Sequence, residues 1–291
     1  MLTNTTLDGL HQLKLPGMAR GLIEQREHPN YDALGFEERL AMLVDRELTE
    51  RSNRRLDRML KAAHLRLSAS VEGIDFTRPR GLQRSQILSL AEAHWIRSHH
   101  SILIVAATGL GKTYISCALA NAAVRRGHTA LYLRGPRLND EIALARADGR
   151  LPRLMAAWAR TDVLLIDDFL LRPLRPDQGA DLLEVIEDRV GIRSTIVTSQ
   201  LPVTMWHEAL GEPTVADGIM DRLLENDHRI ELRGESLRRH RPADQTATRA
   251  KKPPTQNDPQ TAPAPRSHTD LASTAPNMTG STPSEEVNPR G

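Results

Sequence analysis

A glycine-rich loop between an apolar run and a helical pattern constrains this chain more than any other feature. Residues 105–113 have the sequence Val-Ala-Ala-Thr-Gly-Leu-Gly-Lys-Thr. The run before it, residues 102–105, is typical of a buried parallel strand, and residues 114–126 have helical spacing. A helix N-terminus presents free backbone N–H groups and the positive end of the helix dipole to an anion. The pattern therefore predicts a phosphate-binding loop.

The residue types in this loop match the contacts that a nucleoside triphosphate requires. Gly109 and Gly111 let the backbone approach the phosphates, and Lys112 can reach the β and γ oxygens. The Thr113 hydroxyl can ligate Mg²⁺. The motif normally begins with glycine, and Ala106 fits there only if its φ is negative. We expect ATP to be bound by the residues Ala106, Thr108, Gly109, Leu110, Gly111, Lys112 and Thr113.

Composition narrows the class of protein further. Aromatic residues make up 3% of the 291 residues, so the core must be aliphatic. A formal net charge of +2 is too small to indicate a nucleic-acid partner without local clustering. Cys117 is the only cysteine, which excludes an intrachain disulfide and favours a reducing compartment. No run approaches the roughly 18–20 apolar residues of a membrane span, and no signal-peptide core is present. We expect a cytoplasmic protein with no membrane partner.

Three zones follow one another along the chain. Residues 1–72 have apolar residues at helical spacing and predict an N-terminal helical domain, with helices over residues 5–13, 17–27, 35–52 and 54–67. Residues 242–291 hold nine of the 18 prolines among polar residues, so we expect a disordered tail. The central zone, residues 73–241, alternates strand and helix.

The central zone predicts an α/β fold. Its strands are expected over residues 102–105, 130–133, 163–166, 195–198 and 229–232. Because helices separate the strands, we expect a parallel sheet covered on both faces, with the ligand at the carboxyl ends of the strands.

Two adjacent carboxylates end the third of these strands. Asp167 would hold Mg²⁺ through water, and Asp168 would orient or deprotonate an attacking water. Such a pair alone is usually a solvated strand end. Its position one strand–helix unit beyond the phosphate-binding loop favours the catalytic interpretation.

Two polar positions downstream are further candidates. Ser199 and Gln200 end the next strand, and either could lie between the γ-phosphate and the catalytic acid, although the side chain of Gln200 reaches farther. The alternative is a turn residue before Pro202. Arg222 could stabilise the γ-phosphoryl group of a neighbouring subunit, or it could pair with Asp221 or Glu225 on its own helix.

Several stretches resemble the IstB family, the ATP-binding helper proteins of IS21-type insertion sequences, which are related to the helicase loader DnaC within the AAA+ ATPases. The resemblance extends from Phe-Thr-Arg-Pro-Arg-Gly-Leu at residues 76–82 to Gly-Glu-Ser-Leu-Arg at residues 234–238. Other matching stretches are Thr-Ser-Gln-Leu-Pro-Val at residues 198–203, Trp-His-Glu at residues 206–208 and Asp-Arg-Leu at residues 221–223. The N-terminal helices are similar as well.

The resemblance implies a P-loop AAA+ core that assembles with ATP into homo-oligomers on duplex DNA and engages the transposase of the same element. It also implies that Arg222 acts in trans as an arginine finger and that Arg238 is a second sensor. Ala106 departs from the family pattern.

Basic residues form two candidate DNA contacts. The first is a helical face offset only by Asp57: Arg51, Arg54, Arg55, Arg58 and Lys61. A solvated helix face is the alternative. The second follows the strand at residues 130–133, where related loaders insert an extra helix: Arg137, Arg146, Arg150 and Arg153. The scarcity of aromatic residues favours duplex over single-stranded DNA.

These features favour an ATP-dependent transposition regulator, an ATPase whose hydrolysis of ATP resets its assembly on DNA. Two alternatives remain open: a helicase loader of the same architecture, and a nucleotide-gated DNA-binding scaffold with little turnover.

Overall fold

Five parallel strands form the centre of the protein in the computed structural model, which describes residues 2–237 and gives side chains from Thr5 onward. The strands are β1 (Ser101–Ala106), β2 (Ala130–Arg134), β3 (Val163–Phe169), β4 (Ser194–Ser199) and β5 (Asp227–Leu232). Their order across the sheet is β2-β3-β4-β1-β5, and every pairing is parallel. The predicted α/β class and all five predicted strands are confirmed.

Helices precede the sheet and connect its strands. They are α1 (Leu2–Gln12), α2 (Pro16–Glu27), α3 (Phe36–Ala62), α4 (Arg84–Ala91), α5 (His94–Arg97), α6 (Lys112–Arg125), α7 (Gly135–Ala147), α8 (Leu151–Arg160), α9 (Pro176–Glu187), α10 (Trp206–Leu210) and α11 (Pro213–Leu224). None of the helices within residues 2–237 combines the length and apolarity needed to cross a bilayer.

The two faces of the sheet carry separate hydrophobic cores. Successive side chains of a strand point to opposite faces, so Ile102 and Ile104 pack with α6, while Leu103 packs with the helices of the other face. Both cores are aliphatic, with few aromatic side chains such as Trp95, Trp158 and Trp206. A sheet covered on both faces exposes only its strand ends, and that is where side chains can meet a ligand.

The N-terminal helices correct one prediction. The expected helices over residues 35–52 and 54–67 are a single helix, α3, which ends at Ala62. No glycine or proline interrupts residues 36–62, and an ion pair from Glu50 to Arg54 links its turns across the expected break. The helix stops early because His64 adopts a left-handed conformation with φ +49°. The domain boundary at residue 72 stays a prediction, and the expected disordered tail, residues 242–291, lies outside the described residues.

Candidate nucleotide-binding site

The phosphate-binding loop leaves the sheet at the carboxyl end of β1. Ala106 is the last residue of that strand, and its φ is not positive, so alanine is accommodated there without backbone strain. The loop then turns through Gly109 and Gly111, whose φ angles are +90° and +91°. Gly111 precedes Lys112, the first residue of α6, so the helix N-terminus faces the loop as expected.

A closing segment, residues 233–237, lies against this loop. The backbone N–H of Leu237 donates to the carbonyl of Gly109 at 3.0 Å. A Cβ atom at Gly109 would lie 2.0 Å from the Ser236 Oγ, so only glycine permits this approach. Residues 236 and 237 of the Gly-Glu-Ser-Leu-Arg stretch thus support the candidate phosphate-binding loop.

The buried side chain of Arg80 supports the loop from the other side. Its guanidinium donates to the carbonyl of Leu110 at 2.8 Å and to that of Asp75 at 2.6 Å. Burial lowers the pKa of Arg80. The backbone N–H of Arg233 donates to the Arg80 carbonyl at 3.0 Å. The motif at residues 76–82 therefore joins the loop to the end of β5.

A bulge presents both aspartates to the same site. The register between β3 and β4 passes from Ile166 opposite Val197 to Phe169 opposite Ser199, which leaves one extra residue on β3. Asp168 takes a left-handed conformation with φ +58°, which aspartate tolerates better than most residues. Neighbouring strand residues normally face opposite sides of a sheet. The bulge removes that restriction for this pair.

Hydroxyl groups surround the carboxylate of Asp167, which is fully buried. The Thr113 hydroxyl lies 3.0 and 3.1 Å from its two oxygens. Thr198 donates to Oδ1 at 2.5 Å, and Tyr132 donates to Oδ2 at 2.8 Å. Burial and the hydrogen bond to Asp167 raise the pKa of Tyr132, which keeps its hydroxyl a donor.

Three cationic side chains surround the second aspartate. Lys112 Nζ lies 3.9 Å from Asp168 Oδ1. Arg134 Nε lies 3.4 Å, and Arg66 Nη1 3.8 Å, from Oδ2. The lysine of the phosphate-binding loop and the catalytic-acid candidate thus face one another at the edge of the sheet.

Gln200 joins the loop to the same aspartate. Its Oε1 accepts from the Thr108 hydroxyl at 2.5 Å, and its Nε2 lies 3.4 Å from Asp168 Oδ1. Ser199 points elsewhere, because its buried hydroxyl donates to the carbonyl of Phe169 at 3.0 Å. Of the two polar positions considered after β4, the structure brings only Gln200 to the loop.

Oxygen donors suited to Mg²⁺ lie together at this point. The Thr113 hydroxyl and the Asp167 carboxylate are in contact at the mouth of the loop, and Mg²⁺ is usually held by one or two protein oxygens, water and substrate phosphates. Within residues 2–237 no group of three or more His, Cys, Asp or Glu side chains could hold a metal alone. The residues present fit a Mg²⁺ ion that arrives with a nucleotide.

Arg222 lies at the opposite end of the sheet. It lines a cavity of about 280 Å³ together with Ser101, the first residue of β1, whereas the loop follows the last residue of that strand. Six strand residues separate the two ends by roughly 16 Å. Its guanidinium donates to Glu187 at 2.6 Å and to the carbonyl of Gly218 at 2.8 Å. The expected partners Asp221 and Glu225 are therefore wrong, and Arg238 lies outside the described residues.

The two basic clusters are partly neutralised by acids. On α3, Arg51 pairs with Glu47 and Arg54 with Glu50, so the expectation that only Asp57 offsets this face is wrong. Sequence inspection missed these partners because they lie one turn earlier on the same helix. In the second cluster, Arg146 forms two hydrogen bonds with Asp181, and Arg150 pairs with Asp148. The side chain of Arg137 is exposed and interacts electrostatically with Glu141.

Sequence reasoning missed several residues that contact the two aspartates. They are Arg66, Tyr132, Arg134 and Thr198. A signal was available for Arg134 and Thr198, because they lie at the carboxyl ends of the strands on either side of β3, and the carboxyl ends of parallel strands lie at one edge. No local pattern marks Arg66, which belongs to no strand.

The sequence family follows from a comparison with known proteins. Residues 8–245 match the family model of IstB-like ATP-binding proteins. The chain belongs to this family. A curated relative of this IstB-like protein, the insertion sequence ATP-binding protein y4pL of Sinorhizobium fredii, is 44% identical over 240 residues, which are 82% of this chain and 98% of the relative. The IS1162 ATP-binding protein of Pseudomonas fluorescens is 48% identical over 203 residues, 69% of this chain and 88% of the relative.

Solved structures similar to this IstB-like protein have low sequence identity. The crystal structure of DnaI is 20% identical with a TM-score of 0.49, and covers 61% of this chain and 94% of that one. The crystal structure of the DnaC helicase loader is 18% identical with a TM-score of 0.48. The match covers 57% of this chain and 97% of the DnaC chain.

Proposed function

We propose that this IstB-like protein is an ATPase that assembles on duplex DNA and recruits or activates the transposase of its insertion sequence. The observation that carries the proposal is the meeting of the phosphate-binding loop with the paired aspartates at one edge of the sheet. Lys112 lies 3.9 Å from Asp168, and Thr113 lies 3.0 Å from Asp167. Binding, charge neutralisation and water activation can therefore occur within one pocket.

Each side chain has a distinct part in hydrolysis. Lys112 and the loop N–H groups bind the β- and γ-phosphates, and Thr113 and Asp167 hold Mg²⁺, which supplies charge stabilisation when bound. Asp168 orients the attacking water and accepts its proton. Gln200 sits between Thr108 and Asp168, so it can register whether the γ-phosphate is present.

The remote position of Arg222 supports a homo-oligomer. An arginine at the far end of its own sheet cannot reach the nucleotide of its own subunit, but it can reach that of a neighbour in a head-to-tail assembly. Within its own subunit, the Arg222 guanidinium is held near the surface by the ion pair with Glu187. Oligomer formation thereby becomes a condition for hydrolysis.

DNA contact is assigned to the exposed face of α3. Arg55, Arg58 and Lys61 have no carboxylate partner among residues 5–237, so they are available to phosphates. The insertion-sequence names of the relatives motivate the transposase as partner. The other N-terminal helices, α1 and α2, are the candidate surface for it.

The decisive experiment measures phosphate release with and without duplex DNA, using the full chain and the variants Lys112→Ala and Asp168→Asn. We expect Asp168→Asn to bind ATP with turnover reduced about 10²- to 10⁴-fold, because the water loses its base. Lys112→Ala should lose both ATP binding and turnover. If the unmodified protein binds ATP and DNA but releases phosphate no faster than Lys112→Ala, it is a nucleotide-gated scaffold and the hydrolytic proposal is wrong.

A further inference from the structure

The side chain of Arg66 reaches both catalytic carboxylates from outside the sheet. Its Nη1 lies 3.5 Å from Asp167 Oδ2 and 3.8 Å from Asp168 Oδ2. The hydrogen bond to Tyr132 raises the pKa of Arg66, and the same tyrosine hydroxyl donates to Asp167. A permanent positive charge therefore lies beside Asp167, the carboxylate expected to hold Mg²⁺, and also beside Asp168.

The backbone around Arg66 is held in place. The connecting segment, residues 63–69, follows α3 directly. The carbonyl of Ala63 accepts the backbone N–H of Tyr132 at 2.9 Å, and the carbonyl of Ala69 accepts Asn121 Nδ2 at 2.8 Å. Both alanines are almost fully buried. The backbone of the segment is thus hydrogen-bonded to β2 and α6, from which the side chain of Arg66 extends to the aspartates.

Among the donors that contact Asp167, Arg66 is the one that can leave. The Thr198 side chain is fully buried in the sheet, and Thr113 belongs to the loop itself. The hydroxyl of Tyr132 is fixed by its strand position. The Arg66 side chain is 46% exposed, so its guanidinium can swing into water at little cost.

We propose that Arg66 is an internal competitor of Mg²⁺ for the carboxylate of Asp167, and that it sets the magnesium concentration at which nucleotide binds. A guanidinium and a divalent cation both seek carboxylate oxygens, and their charges repel at this distance. This inference rests on the proposed ATP site and adds a residue to it.

A binding titration tests the inference without relying on turnover. Binding of fluorescent mant-ATP to the full chain is measured first in EDTA and then with increasing Mg²⁺. The midpoint is the Mg²⁺ concentration that gives half of the magnesium-dependent increase in binding. We expect Arg66→Gln to lower that midpoint roughly two- to five-fold, the range for a half-exposed ion pair. The affinity in EDTA should stay unchanged, because the guanidinium faces carboxylates rather than phosphate.

Three further variants make the result specific. Arg66→Lys keeps the charge and should retain a midpoint close to that of the unmodified protein. Arg46→Gln removes a similarly exposed ion pair, that with Glu24 between α3 and α2, and should change nothing. Arg66→Met keeps the aliphatic part of the side chain and should also lower the midpoint. It therefore tests the inference even if Arg66→Gln fails to fold.

The outcomes separate this inference from the function on which it rests. An unchanged or higher midpoint in Arg66→Gln and Arg66→Met overturns the competition. Weaker binding in EDTA overturns it as well, because Arg66 would then be a phosphate ligand. If the unmodified protein binds no mant-ATP under any condition, the ATP site itself is wrong.

Discussion

The hydroxyl of Thr198 donates to Oδ1 of Asp167 at 2.5 Å. The same hydroxyl lies 3.1 Å from the backbone N–H of Asp168, where the bulge in β3 interrupts the regular ladder. One buried side chain in β4 therefore orients the magnesium-binding candidate and supports the backbone of the catalytic-acid candidate. Neither function was assigned to this residue from the sequence.

Replacing this hydroxyl should impair turnover more than nucleotide binding. We expect Thr198→Val to lower steady-state phosphate release about 10- to 100-fold, the effect of removing a partner that orients a metal ligand. Equilibrium binding of mant-ATP should change little. Ser199→Ala is the matched control, because that hydroxyl contacts the carbonyl of Phe169 instead. Equal activity of the two variants would show that Thr198 does not orient the site.

The trans position of Arg222 predicts complementation between inactive variants. Arg222→Ala should lower phosphate release by about 10³-fold or more, because charge on the γ-phosphoryl group is no longer neutralised. Mixing it with Lys112→Ala should restore turnover, since the Lys112→Ala subunit can supply Arg222 to an intact neighbouring loop. Glu187→Gln removes only the ion-pair partner and should remain active. If mixing the two variants does not increase phosphate release, Arg222 does not act in trans.

DNA binding should respond to the unpaired cations of α3. Replacing Arg55, Arg58 and Lys61 with alanine should reduce the slope of log affinity against log salt by up to about 0.9 for each lost phosphate contact. Fluorescence anisotropy with a labelled duplex measures this slope. Arg146→Ala, which breaks a pair with Asp181, should leave the slope unchanged. The reverse result would assign DNA binding to the region of α7.

A carboxylate on α3 caps α2, and its removal should destabilise the N-terminal helices. Glu47 accepts the backbone N–H groups of Gly17 at 2.7 Å and Met18 at 3.2 Å. Glu47→Gln should cost about 1–2 kcal/mol of unfolding free energy at pH 7, because charge-assisted hydrogen bonds are lost. Glu37→Gln, on an exposed part of the same helix, should be nearly neutral. Urea denaturation followed by circular dichroism measures both.

The loss of unfolding free energy caused by Glu47→Gln should also depend on pH. Burial opposes ionisation of Glu47, but the hydrogen bonds from Arg51 and two backbone N–H groups outweigh it, so the pKa of Glu47 is lowered from its ordinary value. A carboxyl whose pKa is lowered by folding stabilises the protein above its unfolded pKa, and the contribution disappears as pH falls through its folded pKa. The difference between Glu47→Gln and the unmodified protein should therefore shrink below about pH 4.5. A constant difference down to pH 3 would contradict this cap.

Close packing of α2 on α3 predicts opposite effects of one substitution at two glycines. A Cβ at Gly17 would lie 2.7 Å from the Cα of Glu47, so Gly17→Ala should destabilise the protein by about 1–3 kcal/mol. A Cβ at Gly9 meets nothing within 4 Å, and Gly9→Ala should stabilise α1 by up to about 1 kcal/mol. Thermal melts of the two variants in parallel test the packing, which a loss of stability at both positions would contradict.

Local sequence was sufficient for the strands and for the loop. The apolar run at residues 102–105 and the glycines at 109 and 111 depend on near neighbours, so their conformation can be predicted from spacing and residue type. The adjacency of Lys112 and Asp168 also followed, since the carboxyl ends of parallel strands share an edge. The length of α3 could not be predicted in this way, because the ion pair from Glu50 to Arg54 that spans residue 53 is not visible in apolar periodicity.

By itself, the sequence determined which chemical groups this protein has, where its strands run and which loop meets phosphate, because those properties arise within a few neighbouring residues. Only the tertiary structure decided that a bulge turns Asp167 and Asp168 to one side, that Thr198 joins them and that Arg66 reaches them. Those contacts link residues 30 to 102 positions apart. Their geometry depends on strand pairing and chain path, which no local pattern records.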